Sequence, residues 1–297
     1  MPLSEPIQRW RQRGRIANVR GLDVFVLDEG KGSTVLLLHG FPTSSYDWSA
    51  ILGPLSERHR VVALDFPGYG LSAKPRIYSY SLVEQADVAL AVCAQLDVHR
   101  AHVFAHDMGT SVTTELLARR ESGTLPLAVA SIALMNGSVH LEMARLTPSQ
   151  KVLRRPLLGR IFTRLASRTT FKLQFRRLFS RPDALPDGEL DRLWELLIYD
   201  EGHLRLPQSI RYIEERIQLA DRWLPPLTRL DVPALVLWGR RDPVARFVIA
   251  ERLAREIPGA KLVALEDTGH YPQLENPSRV AHEYLSFLDA VEQPPPS

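Results

Sequence analysis

Short apolar runs recur along the 297-residue chain in a rhythm that leaves little choice of fold. Val35–Leu38, Val61–Leu64, His102–Ala105, Ser131–Met135, Ala234–Trp238 and Lys261–Ala264 are the series. Runs without polar alternation suit strands buried on both faces. Helical stretches such as Ser81–Leu96 and Thr110–Arg120 lie between them. Strands alternating with helices predict a mostly parallel sheet covered by helices on both sides. Arg15–Val19 and Leu22–Asp28 flank Arg20-Gly21 and read as a hairpin, which brings the sheet to eight strands. Strand signals stop between about Ser138 and Leu230, too long a stretch for a plain connection. The expected division is a core of residues 1–137 and 231–297 with a helical cap, 138–230, inserted into it.

Composition removes several classes. A single cysteine, Cys93, excludes a disulfide framework or a Cys-rich metal site. A formal net charge of +3 does not argue for nucleic acid. The basic start, Arg9 to Arg15, is followed by no apolar run, so no secretory signal is expected. The uncharged window Ser122–Leu141 holds Pro126, Asn136 and Gly137 and reads as loop plus strand, not a membrane span. A soluble, cytoplasmic protein is expected, with a frayed end over Gln293–Ser297.

In such sheets the chemistry sits beyond the carboxyl ends of the strands. After His102–Ala105 comes His106-Asp107-Met108-Gly109-Thr110 and then a helix. Ala105 and Gly109 lie two before and two after Asp107, the spacing of a nucleophile elbow. The elbow holds aspartate, and no Gly-x-Ser-x-Gly occurs in the chain. A carboxylate attacking an ester would give an anhydride. Attack on a saturated carbon bearing a leaving group gives an alkyl ester that water can cleave. Epoxides and carbon–halogen bonds are therefore the substrates this residue suits. Asp107 could also serve simply as a helix N-cap.

Two further strand ends supply partners. His270 follows Lys261–Ala264 in Asp267-Thr268-Gly269-His270 and suits a water-activating base. Asp242 follows Ala234–Trp238 and is placed to orient the imidazole; the order nucleophile, acid, histidine fits this architecture. His39-Gly40-Phe41-Pro42 follows Val35–Leu38, and the amides of Phe41 and Met108 are the expected oxyanion hole. Asp65, before Phe66-Pro67-Gly68-Tyr69-Gly70, is expected to pin that loop. His102 and His106 resemble an i, i+4 metal pair only on a helix, which they are not on. The scheme needs no metal or organic cofactor.

These residues resemble the α/β-hydrolase superfamily over nearly the whole chain. Asp107, His39-Gly40-Phe41-Pro42 and His106-Asp107-x-Gly109 look like its epoxide hydrolase and haloalkane dehalogenase branch. The strings His39 to Trp48, Arg211-Tyr212-Ile213 and His270-Tyr271-Pro272-Gln273-Leu274-Glu275 are most similar to the mesoderm-specific transcript protein group. The branch implies cap tyrosines that protonate an opening ring. Tyr212 looks like one, although a cap-core aromatic would read the same way, and Tyr199 or His140 are the candidates for a second. Haloalkane dehalogenases carry Trp after the nucleophile and often Asn after the His-Gly pair; here stand Met108 and Phe41. Fluoroacetate dehalogenases carry Arg where Met108 stands. Epoxide hydrolysis to a diol is thus the expected reaction. Haloalkane or haloacid dehalogenation is the alternative, and an esterase-like or non-catalytic homologue is a further one. The partner expected is a small molecule.

Lys151–Arg181 carries ten basic residues and no acidic ones. Arg160, Arg164, Arg168, Lys172 and Arg176 recur every four residues, with Leu157, Leu158, Ile161, Phe162 and Leu165 between. The expected reading is a cap helix packed on the sheet with its arginines solvated; the other reading is a membrane-surface helix.

Overall fold

A computed structural model describes residues 3–293. Of the tail expected to fray, Gln293–Ser297, residues 294–297 lie outside them. The strands are β1 (Arg15–Val19), β2 (Leu22–Glu29), β3 (Thr34–Leu38), β4 (Arg60–Leu64), β5 (Arg100–His106), β6 (Ala128–Met135), β7 (Ala234–Gly239) and β8 (Lys261–Leu265). They form one sheet in the order β1-β2-β4-β3-β5-β6-β7-β8. The pairs β1/β2 and β2/β4 are antiparallel and all others parallel. The eight expected strands are all present, each within a few residues of its predicted bounds.

The apolar runs explain the layers. Val24, Leu36, Val62, Val103 and Ile132 face one core cluster, and their neighbours Phe25, Leu37, Val61, Phe104 and Ala133 face the other. Period-two side chains on a doubly covered sheet require this. A helix that the apolar runs do not signal, Glu5–Arg13, buries Ile7 and Trp10 on the second cluster. Among the described residues no helix is long and apolar enough to cross a membrane.

Between β6 and β7 the chain is helical, from Leu141 to Thr228. The basic stretch is not one helix. It breaks into Pro148–Leu153, Pro156–Arg164 and Arg168–Arg176, the first two opening on prolines at positions where no intrahelical N–H is lost. The expectation that its apolar residues pack inward is also overturned. Leu157, Leu158, Ile161, Leu165 and Leu173 are exposed. In Pro156–Arg164 the buried positions are Gly159 and Thr163, whose small side chains let the backbone pack close. The helix thus sits with its bulky aliphatics outward.

Glu115, on the helix Met108–Glu121 after β5, fastens the insertion to the sheet layer. Its buried carboxylate accepts from Arg222 Nε at 2.8 Å, Arg222 Nη2 at 2.9 Å and Trp223 Nε1 at 2.8 Å, besides Arg119 Nε at 2.7 Å. Burial alone would raise its pKa, but hydrogen bonds from Arg222, Arg119 and Trp223 outweigh that and hold it below the ordinary glutamate value.

Candidate active site

Asp107 sits on the turn from β5 into the following helix at φ 43° and ψ −109°. A non-glycine residue there is strained, by about 1–3 kcal/mol, and persists only where its surroundings hold it. Small neighbours make the turn sterically feasible. A Cβ on Gly109 would stand 2.3 Å from the Leu38 carbonyl oxygen, and one on Gly40 would stand 2.7 Å from Asp107 Cβ. Asp107 N–H donates to Met135 O at 3.1 Å, and Thr110 N–H returns to Asp107 O at 3.1 Å.

Asp107 is buried, 3% exposed. Its Oδ2 accepts from the Phe41 amide at 3.0 Å. Met108 opens the helix, so its N–H has no intrahelical acceptor. Arg216 reaches in from the helix Tyr212–Gln218. Its Nη2 is 3.9 Å from Asp107 Oδ1, and its Nε donates to Ser111 Oγ at 2.7 Å. The guanidinium also lies 4.6 Å from the Tyr212 ring centre.

His270 Nδ1 is 2.7 Å from Asp242 Oδ2. Asp242 is fully engaged. Its Oδ1 accepts from Val244 N–H at 2.7 Å and Ala245 N–H at 3.0 Å, and its Oδ2 also accepts from Asn136 Nδ2 at 2.7 Å. That pattern fixes the carboxylate as acceptor and the His270 proton on Nδ1, leaving Nε2 free to take a proton. Burial acts to lower the His270 pKa. Asp242, through charge and hydrogen bond, and then Asp107 and Asp47 outweigh it, so the net shift is upward.

The sign of that shift fixes two pH effects. A raised folded pKa means this pair stabilises the fold fully below the unfolded value of 6.5, a contribution lost as pH rises through the folded pKa. Water activation needs neutral Nε2, so a step using it should rise with pH through the same raised value. The acid limb of a pH–rate profile should therefore fall on the alkaline side of 6.5 and move down in Asp242→Asn. An acid limb unmoved by that change would count against the pairing.

The neighbouring histidines are structural. His39 Nε2 accepts from Phe66 N–H at 3.0 Å, so Nδ1 carries the proton toward Gly40 O at 2.9 Å. His106 Nε2 donates to the His270 carbonyl at 2.8 Å, and burial lowers its pKa to about 3. Asp65 pins the glycine loop as expected, taking Ser45 N–H at 2.7 Å and Leu71 N–H at 2.6 Å.

A cavity of about 540 Å³ opens between the sheet and the helical insertion. Phe41, Pro42, Gln150, Leu165, Phe175 and His270 are among its walls. Asp107, Met108 and Tyr212 are not among its walls. They lie against Phe41, which donates its amide to Asp107 and whose ring centre is 5.5 Å from that of Tyr212. Phe41 thus touches both, lining the cavity and giving its amide to the carboxylate.

Tyr212 is buried, with a long 3.5 Å contact from Gln150 Nε2 to its hydroxyl. Burial first, then Asp107, raises its pKa. The two other donor candidates are not at the site. His140 Nε2 is held 2.7 Å from Glu256, because the chain after β6 turns toward the helix Phe247–Glu256. Tyr199 ends a helix at a kink, and its ring carries Lys74 Nζ 5.2 Å away. The second tyrosine near Asp107 is instead Tyr69, whose hydroxyl meets Met108 Sδ at 3.5 Å. Its pKa is raised chiefly by burial, with Asp107 adding to the rise. Its only signal in the sequence is its place after the β4 strand end.

Sequence reasoning does not reach Arg216, Asn136 or Tyr69 as site residues. Glu275 joins them as a brace: it accepts from Gly269 N–H at 2.7 Å, Ser180 N–H at 3.2 Å and Arg181 N–H at 2.5 Å.

Residues 33–277 match the alpha/beta hydrolase fold family. The putative hydrolase LipZ of Mycobacterium tuberculosis is 44% identical over 287 residues, 96% of this chain and 99% of LipZ. The mesoderm-specific transcript protein of Mus musculus is 33% identical over 299 residues, 97% of this chain and 89% of that protein. Among solved structures, a membrane phospholipase A described as a bacterial virulence factor is 28% identical with a TM-score of 0.75, covering 97% of this chain and 92% of its own. The epoxide hydrolase CorEH, at 17% identity and a TM-score of 0.77 over 94% of this chain and 99% of its own, shares the fold. With sheet order, insertion and matched span in agreement, the chain belongs to the alpha/beta hydrolase fold family and is a hydrolase of that family.

Proposed function

We propose that the chain hydrolyses epoxides to diols through an alkyl ester on Asp107, with residues 138–230 acting as a cap over the site. The observation that carries this reading is the carboxylate at the strained bend, with one oxygen on the Phe41 amide. That leaves Oδ1 to attack a ring carbon while the ring C–O bond breaks. The ring oxygen takes a proton from Tyr212 or Tyr69. Tyr69 suits this because its present acceptor, a thioether, is weak. His270 Nε2 then removes a proton from water, which adds to the ester carbonyl carbon. The oxyanion forms at Oδ2, where the Phe41 and Met108 amides stabilise it. The ester C–O bond at the carboxyl carbon breaks, the diol leaves with a proton from the imidazolium, and the proton left on the Asp107 carboxyl passes through solvent to the tyrosinate.

A second reading, cleavage of a 2-halo acid by the same groups, is favoured by Arg216, a buried cation beside Asp107 that could pair a substrate carboxylate.

Single-turnover reaction in 18O-water tests the covalent step. The expected result is label in the Asp107 carboxylate and unlabelled first-turnover diol. Label passing directly into product would overturn it in favour of direct water attack. Halide release from 2-halo acids without diol formation from epoxides would move the assignment to the second reading.

A further inference from the structure

The helical insertion presents one surface that the reaction does not use. Leu157 is 71% and Leu165 75% exposed, with Leu158 and Ile161 on the same face of Pro156–Arg164 and Leu173 on the next helix. Isolated exposed aliphatics are ordinary, but a row of them on one short helix is not. Arg160 and Arg164, one turn apart, border the row. Lys151, Arg155 and Arg177 are exposed nearby. Arg154, Arg168, Lys172 and Arg176 have carboxylate partners in Glu214, Asp191 and Asp183. Lys151, Arg155, Arg160, Arg164 and Arg177 form no ion pair among the described residues.

We propose that this exposed aliphatic row with its uncompensated arginine border docks on an anionic lipid–water interface. The apolar residues would enter the acyl boundary while the guanidinium groups meet phosphate. Charge complementarity selects the occupant: Lys151, Arg155, Arg160, Arg164 and Arg177, exposed and without ion pairs among the described residues, would repel the same surface of a second copy. A protein partner would be anchored by aromatic residues in a fitted pocket, whereas this row is exposed and aliphatic. The cavity also reaches this helix. Phe162, Leu165 and Ala166 line it, so the outward helix that would meet lipid is one wall of the passage.

Co-sedimentation of the full chain with phosphatidylcholine vesicles, with and without about 30% phosphatidylglycerol, tests this. Binding is expected to the anionic vesicles at about 50 mM salt, to weaken strongly at about 500 mM, and to be negligible on neutral vesicles. Arg160→Gln with Arg164→Gln should weaken binding about tenfold and flatten its salt dependence. Leu157→Ser with Leu165→Ser should weaken it at least about tenfold. All four sites are exposed, so melting points within about 2 °C of the parent are expected. Failure of the parent to bind anionic vesicles at low salt, or equal binding by both variants, overturns the proposal. So does release of bound protein by millimolar inorganic phosphate, which would mark a simple anion site. Concentration-dependent self-association abolished by the leucine changes, with vesicle binding unchanged, would assign the row to a second copy instead. None of these outcomes depends on Asp107 chemistry.

Discussion

Replacing His270 with glutamine is expected to stop turnover after the first chemical step and leave the substrate's mass on Asp107. Glutamine keeps a polar side chain of similar reach but cannot take a proton from water. Attack by Asp107 Oδ1 needs no base, so the alkyl ester should still form. Its hydrolysis should slow by about 10²–10⁴-fold, the usual contribution of general acid–base catalysis. Intact mass after incubation with an epoxide panel should show the adduct, and peptide mapping should place it on Asp107. Asp107→Asn should show none. An adduct on another residue, or product formation undiminished in His270→Gln, would end the covalent scheme. Asn136→Ala offers a graded companion. It removes one donor from Asp242 Oδ2 while leaving the His270 contact, so a partial slowing is expected.

The second large effect is on stability. Glu115→Ala would strip the shared acceptor from Trp223, Arg119 and Arg222 in one step. Breaking a buried ion pair from one side costs about 3–5 kcal/mol. Arg222 is 45% exposed and can turn to water, which places the expectation near the lower end, about 3 kcal/mol. At roughly 2–4 °C per kcal/mol for a domain of this size, the melting point should fall by about 6–12 °C. Because the Glu115 pKa is depressed, its contribution is present above the ordinary glutamate value of 4.5 and is lost as pH falls through the lower folded value. The gap between parent and variant should therefore narrow in acid. A shift under about 2 °C at neutral pH would show that the Glu115 network does not fasten the insertion.

The readable parts of the molecule share one property: their signal is local. A strand buried on both faces must be apolar throughout, so Leu36–Leu38 and Val61–Leu64 announce themselves. Residues that follow such strands inherit a position, which is how Asp107, Asp242 and His270 could be named together. Arg216 carries no such signal. Its helix position looks like any amphipathic residue until the fold brings it over Tyr212 and against Asp107. Tyr199 and His140 fail for the converse reason, since spacing along a chain of short helices does not say which way each side chain turns. The aliphatics of Pro156–Arg164 mislead because period alone cannot tell an inward stripe from an outward one. Only the small residues Gly159 and Thr163, tight against the interior, settle its facing.

One brace carries a mechanical consequence. Glu275 grips Gly269 beside the imidazole and also the backbone at Ser180 and Arg181, while His270 N–H is tied to Leu178 O at 2.7 Å. The segment 178–181 and the histidine loop therefore travel as one piece. Peeling the covering helices back from that side would pull the proton acceptor out of line. Any opening over the cavity is therefore expected at the opposite margin, with 178–181 as the fixed side, and a crosslink fastening Leu178 to its neighbours should leave activity intact.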